Sequence, residues 1–133
     1  MSYEAPLPPQ TVLVVDDDAV VRRVVQGHLS SSGYRIFEAE DGQEALEVLE
    51  RTGPVSLVII DLVMPRLDGP GLMAEVLRRR PSQPLLLMSA YPDGREALEN
   101  GRPSQPFLSK PFTRDQLLAK VAEASQARAT EPA

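Results

Sequence analysis

Four apolar residues, Val12, Leu13, Val14 and Val15, run directly into Asp16, Asp17 and Asp18. Such a run, mostly β-branched, predicts a strand over 12–15 buried on both faces. Residues 19–31 then place Val21, Val24, Val25 and Leu29 on one helical face, with Arg22, Arg23 and Gln26 turned away and Gly33 as the stop. A weaker strand over 35–39 suits a sheet edge. The next helix, over 43–51, carries Ala45, Leu46, Val48 and Leu49 and closes at Gly53-Pro54. A nearly continuous apolar strand over 55–60 again ends in a carboxylate, Asp61. Pro70 fits the first turn of a third helix bearing Leu72, Met73, Val76 and Leu77. Strands over 85–88 and 107–109 stop at Ser89-Ala90 and Lys110-Pro111. Thr113 then opens a last helix with Leu117, Leu118 and Val121 facing inward.

This alternation is a repeated βα unit, (βα)5, and predicts an α/β fold: a doubly wound, parallel five-stranded sheet with helices on both faces. One unit departs from the pattern. Residues 91–105 contain Pro92, Gly94, Asn100, Gly101 and Pro103, and only 95–99 has good helical character, so the fourth helix is predicted to be short or irregular. The 13 prolines otherwise mark element boundaries and the two ends. Residues 1–10 read as a flexible leader, 11–126 as one domain and 127–133 as a flexible tail.

With 133 residues, 42% of them hydrophobic, the chain fits one domain with a sizeable core. A net charge of −5 argues against nucleic acid as a ligand. The cluster Arg78-Arg79-Arg80 is the local exception, and at a helix end it reads as dipole compensation and solvated surface. The absence of cysteine excludes disulfides and thiolate chemistry, no segment is apolar enough to span a bilayer, and no signal peptide is legible. A cytoplasmic location is the expectation.

In parallel sheets of this kind ligands bind beyond the carboxyl ends of the strands. That rule gathers Asp16, Asp17, Asp61, Ser89 and Lys110 at one edge. Unit charges about 4 Å apart repel by roughly 4 kcal/mol at an effective dielectric near 20. A hard divalent cation such as Mg²⁺ offsets this and commonly completes its shell with phosphoryl oxygens. Asp18 is equally well explained as an N-cap. Asp61 could act as a nucleophile toward phosphorus, giving an aspartyl phosphate, with Lys110 and Ser89 serving the phosphoryl oxygens.

The segments Leu13-Val14-Val15-Asp16-Asp17-Asp18, Ile59-Ile60-Asp61-Leu62-Val63-Met64-Pro65 with Asp68-Gly69, Met88-Ser89-Ala90, and Lys110-Pro111-Phe112-Thr113 occur in this order at strand ends. Together they resemble the receiver domain of two-component response regulators, over residues 11 to about 125. The closest flavour is that of receivers attached to hybrid histidine kinases. The resemblance implies a flavodoxin-like sheet of order 2-1-3-4-5 and Asp61 as phosphoacceptor. It also implies Mg²⁺ bound by Asp16, Asp17, Asp61 and the Val63 backbone carbonyl. Ser89 would be the switch hydroxyl, Lys110 the phosphate-sensing lysine, and Phe107 either the aromatic switch or a core aromatic. A cis bond before Pro111 is implied as well.

Such a domain is not a conventional enzyme, since it catalyses only its own phosphotransfer and dephosphorylation. Its partners would be a histidine kinase or histidine phosphotransfer protein and a downstream effector. Val63 and Tyr91 would flank the site where water reaches the acyl phosphate. His28, the one histidine, reads as a surface or boundary residue. Two alternatives stand beside this reading. One is a Mg²⁺-dependent phosphohydrolase with its nucleophile on the first strand. The other is a receiver-fold module that signals without phosphorylation.

Overall fold

The computed structural model describes residues 10–64, 68–90 and 106–129 of the chain. The leader through residue 9, Pro65, the expected fourth helix at 91–105 with Tyr91, and the end of the tail lie outside the described residues.

The elements are β1 (Thr11–Val15), α1 (Ala19–Ser30), β2 (Arg35–Ala39), α2 (Gly42–Thr52), β3 (Leu57–Asp61), α3 (Gly69–Arg79), β4 (Leu85–Ser89), β5 (Phe107–Ser109) and α4 (Arg114–Ala129). All strand pairs are parallel and the order is β2-β1-β3-β4-β5, as the resemblance implies. β2 is an edge strand with a half-exposed pattern, as its weaker apolar character predicts. The helix α4 runs to Ala129, past the residue where the flexible tail was expected to begin.

The central strands divide their side chains between two cores, one on each face. Leu13, Val15, Val58, Ile60, Leu85 and Leu87 pack with α2 and α3 through Val48, Leu49, Leu72 and Val76. Val12, Val14, Leu57, Ile59, Leu86 and Met88 pack with α1 and α4 through Val25, Leu29, Leu117 and Val121. Period-two alternation in strands buried on both faces produces this division directly. Each fully buried aliphatic side chain contributes about 1.5–3 kcal/mol relative to exposure.

Each helix start is capped by a side chain. Asp18 accepts from the Val20 N–H at 2.9 Å, Asp41 from Glu44 at 2.8 Å and Asp68 from Gly71 at 2.8 Å. Thr113 and Gln116 exchange reciprocal bonds of 3.1 and 2.9 Å, a capping box. At the other ends, Gly33 and Gly53 take positive φ. Arg78 and Arg79 pair with Glu75, and Arg80 donates to the Leu49 carbonyl at 2.8 Å.

The helix α1 departs from its expected face in two places. Val24 is 43% exposed and Val20 68%, so the inward stripe narrows to Val25 and Leu29 with Val21 half-buried. Arg22, expected to turn outward, instead folds back over the end of β1. Its first-turn position and long stem bring it within reach of the strand-end backbone. Leu29→Ala is expected to lower stability by about 2–5 kcal/mol, whereas Val20→Ala stays within about 0.5 kcal/mol. Urea unfolding midpoints check both.

Candidate functional site

The strands β3 and β4 reach one residue further than the apolar runs indicate, so Asp61 and Ser89 are themselves strand residues, paired in register with Met88 and Ser109. They are also buried, at 5% and 2% exposure. The Lys110 N–H donates to the Ser89 carbonyl at 2.9 Å and the Leu62 N–H to the Met88 carbonyl at 2.9 Å, which fixes the strand ends against each other. The Lys110-Pro111 bond is cis.

Asp16 is fully buried and held at every polar atom. Its N–H donates to the Ala39 carbonyl at 3.1 Å, and its carbonyl accepts from Arg22 Nη1 at 2.5 Å. Its Oδ1 accepts from the Asp18 N–H at 2.9 Å and its Oδ2 meets Lys110 Nζ at 2.7 Å. Asp61 Oδ1 accepts from the Val63 N–H at 3.2 Å, and Asp61 Oδ2 lies 3.5 Å from Lys110 Nζ. Asp17 is exposed. Lys110 therefore leans toward Asp16 more closely than toward Asp61.

The carboxylate oxygens of Asp16, Asp17 and Asp61 lie within 4.8 Å of one another. Among the described residues three carboxylates face the Lys110 ammonium, and an all-oxygen set with that charge surplus fits a hard divalent cation of the Mg²⁺ kind. Burial first, and the Asp16 charge next, push the Asp61 carboxyl up to about 6, against the lowering pull of Lys110 and the Val63 N–H. Burial also works to lower Lys110, but its bond to Asp16 and the two carboxylate charges outweigh that and hold it above its usual value.

Two residues essential to this geometry carry weak sequence signals. A Cβ at Gly69 would stand 2.4 Å from Leu62 Cα and 2.6 Å from the Asp61 carbonyl oxygen. Only glycine lets the start of α3 close against the end of β3, and the Asp68-Gly69 pair is the signal for it. Arg22 is the second, and Glu38 on β2 holds its Nε at 3.2 Å. The Val63 side chain is half exposed beside Asp61, Phe107 is half-buried against the α2/α3 core, and His28 is a boundary residue, as expected. Lys110 also borders an apolar groove of about 470 Å³ lined by Val20, Val21, Val24, Ala90, Pro111 and Phe112. No helix among the described residues is long and apolar enough to cross a membrane.

A parallel sheet thus carries an acidic triad and a lysine at its carboxyl edge. The family model for the response regulator receiver domain matches residues 12–122. The chain belongs to the response-regulator receiver family. It is 37% identical over 115 residues to a probable transcriptional regulator, ycf27, of Porphyridium aerugineum, covering 84% of this chain and 46% of that protein. It is 38% identical over 117 residues to the sensor kinase CckA of Brucella abortus, covering 85% of this chain and 12% of the kinase. The signal receiver domain of an HD domain-containing protein from Pseudomonas fluorescens superposes with a TM-score of 0.82 at 29% identity, covering 93% of this chain and all of that one. The chain thus spans less than half the length of these curated relatives.

The folded state holds the Asp61 proton more tightly than the unfolded chain, because its carboxyl is raised above the ordinary 3.8. Without metal, its contribution to stability is therefore lost as pH rises from about 4 through about 6. Asp61→Asn is expected to be more stable than the parent by about 1–3 kcal/mol at pH 7.5 in chelator, the gap closing toward pH 4. Urea titrations of both proteins across that range measure it.

Proposed function

We propose that Asp61 accepts a phosphoryl group from a phosphohistidine on a histidine kinase or histidine phosphotransfer protein. The observation that carries this is the buried Asp61 carboxylate between two further carboxylates and the Lys110 ammonium. An Asp61 carboxylate oxygen attacks phosphorus, the new P–O bond forms, and the P–N bond breaks with its electron pair leaving on the histidine nitrogen. Asp16, Asp17 and Asp61, with the Val63 backbone carbonyl, would hold Mg²⁺, which supplies neutralisation of phosphoryl-oxygen charge.

Lys110 Nζ, already 3.5 Å from Asp61 Oδ2, binds an oxygen of the phosphoryl group carried there. Ser89, across the register from β5, offers its hydroxyl to another phosphoryl oxygen, and Phe107 responds to that movement. The apolar groove beside Lys110 gives the donor a surface continuous with the reacting atoms. Water later cleaves the P–O bond to Asp61 and releases inorganic phosphate, with Val63 and Tyr91 governing its approach. The phosphorylated surface is the signal to a downstream effector, and the setting is the cytoplasm. The signalling unit runs from β1 through the end of α4 at Ala129.

A phosphohydrolase with a first-strand nucleophile would need Asp16 to attack and Asp18 to donate a proton. Asp16 is instead held at both carboxylate oxygens, and Asp18 is engaged as the cap of α1. Incubation with Mg²⁺ and acetyl phosphate is expected to add the mass of one phosphoryl group, stable in acid and labile in base. Asp61→Asn removes it. An unmodified parent protein, or an adduct that survives Asp61→Asn, contradicts the assignment.

A further inference from the structure

We infer that Arg22 is a positioning residue for Asp17, an inference that rests on the acidic triad being a cation site. The side chain of Asp16 needs no help, since Asp18 and Lys110 already hold its two oxygens. Asp17 differs: its carboxylate is exposed and has no hydrogen-bond or ion-pair partner among the described residues. Its placement therefore depends on the backbone that presents it. The Asp16 carbonyl belongs to the rigid, planar peptide unit that also contains the Asp17 nitrogen and Cα. Arg22 Nη1 donates to that carbonyl at 2.5 Å, and Arg22 Nε is anchored by Glu38 at 3.2 Å.

The guanidinium fork thus links the edge strand β2 to the peptide plane from which Asp17 projects. Arg22 is itself restrained, with its side chain 15% exposed and its N–H bonded to the Asp18 carbonyl at 3.1 Å. Lysine carries the same charge on a single donor group and cannot reproduce a two-pronged link.

Charge alone gives the opposite sign. Removing a guanidinium beside the triad removes a repulsion on an incoming divalent cation and would tighten its binding. Positioning, in contrast, weakens binding when the fork is lost, with a size of roughly tenfold for residues that orient metal ligands.

The test is Mg²⁺ titration calorimetry on the full chain and on Arg22→Met, Arg22→Lys and Glu38→Gln, with amide hydrogen exchange on the metal-free proteins. Arg22→Met and Arg22→Lys are expected to raise the Mg²⁺ dissociation constant by roughly tenfold, and Glu38→Gln by less. Exchange at Asp18, whose N–H is bonded to Asp16 Oδ1, should quicken in both Arg22 variants while β1 stays protected. Tighter or unchanged binding in Arg22→Met, or unchanged exchange at Asp18, overturns the inference. A parent protein that binds no Mg²⁺ instead overturns the reading of the triad, and the exchange data still decide the role of Arg22. Should Arg22→Met fail to fold, Arg22→Lys carries the same test, because it keeps the positive charge in place and removes only the two-pronged link.

Discussion

Three carboxylates with oxygens within 4.8 Å of one another, opposed among the described residues by the Lys110 ammonium, set the demand that the rest of the molecule meets. Two of them, Asp16 and Asp61, sit at the ends of adjacent apolar strands and are buried there. Burial disfavours the charged form of Asp61, and the nearby Asp16 charge adds repulsion. Lys110 neutralises part of that charge from the end of β5. The scaffold holds the remainder in place, storing an attraction for a cation and for whatever anionic group that cation brings.

The scaffold can do this because its stabilisation lies elsewhere. The inner strands send alternate side chains into two separate cores, and nearly all of those side chains are fully excluded from water. The backbone at the strand ends is then fixed by bonds that cross from strand to strand: Asp16 to Ala39, Leu62 to Met88 and Lys110 to Ser89. Gly69 allows α3 to begin against the Asp61 carbonyl, which covers the end of β3. The fold makes the site rigid while leaving Asp17 and the apolar groove accessible.

The broad design was legible in the chain because two simple signals coincide. Continuous apolar runs mark strands buried on both faces, and polar residues at the ends of such runs mark the ligand edge. Asp16, Asp61, Ser89 and Lys110 follow from those signals alone. Asp17 as a cation carboxylate follows from them too, whereas the metal role of the Val63 backbone carbonyl rested on resemblance. Periodicity misplaced Val24 and Arg22, because it reports which face a residue occupies and not how wide the covered stripe is or where a long side chain bends. The closer contact of Lys110 with Asp16 than with Asp61 was also hidden, since a flexible four-carbon stem between two carboxylates has no preference that sequence can express. Gly69 was visible only as part of a motif, and its reason is a contact with β3.

The central claim is that the acidic edge is a cation site assembled from two strands. Backbone amide NMR shifts during a Mg²⁺ titration address it most directly. The account predicts one saturable transition, with the largest shifts at Asp16, Asp17, Asp61 and Val63 and little change at the opposite edge of the sheet. Shifts that are small, unsaturated and spread over the acidic surface would contradict it.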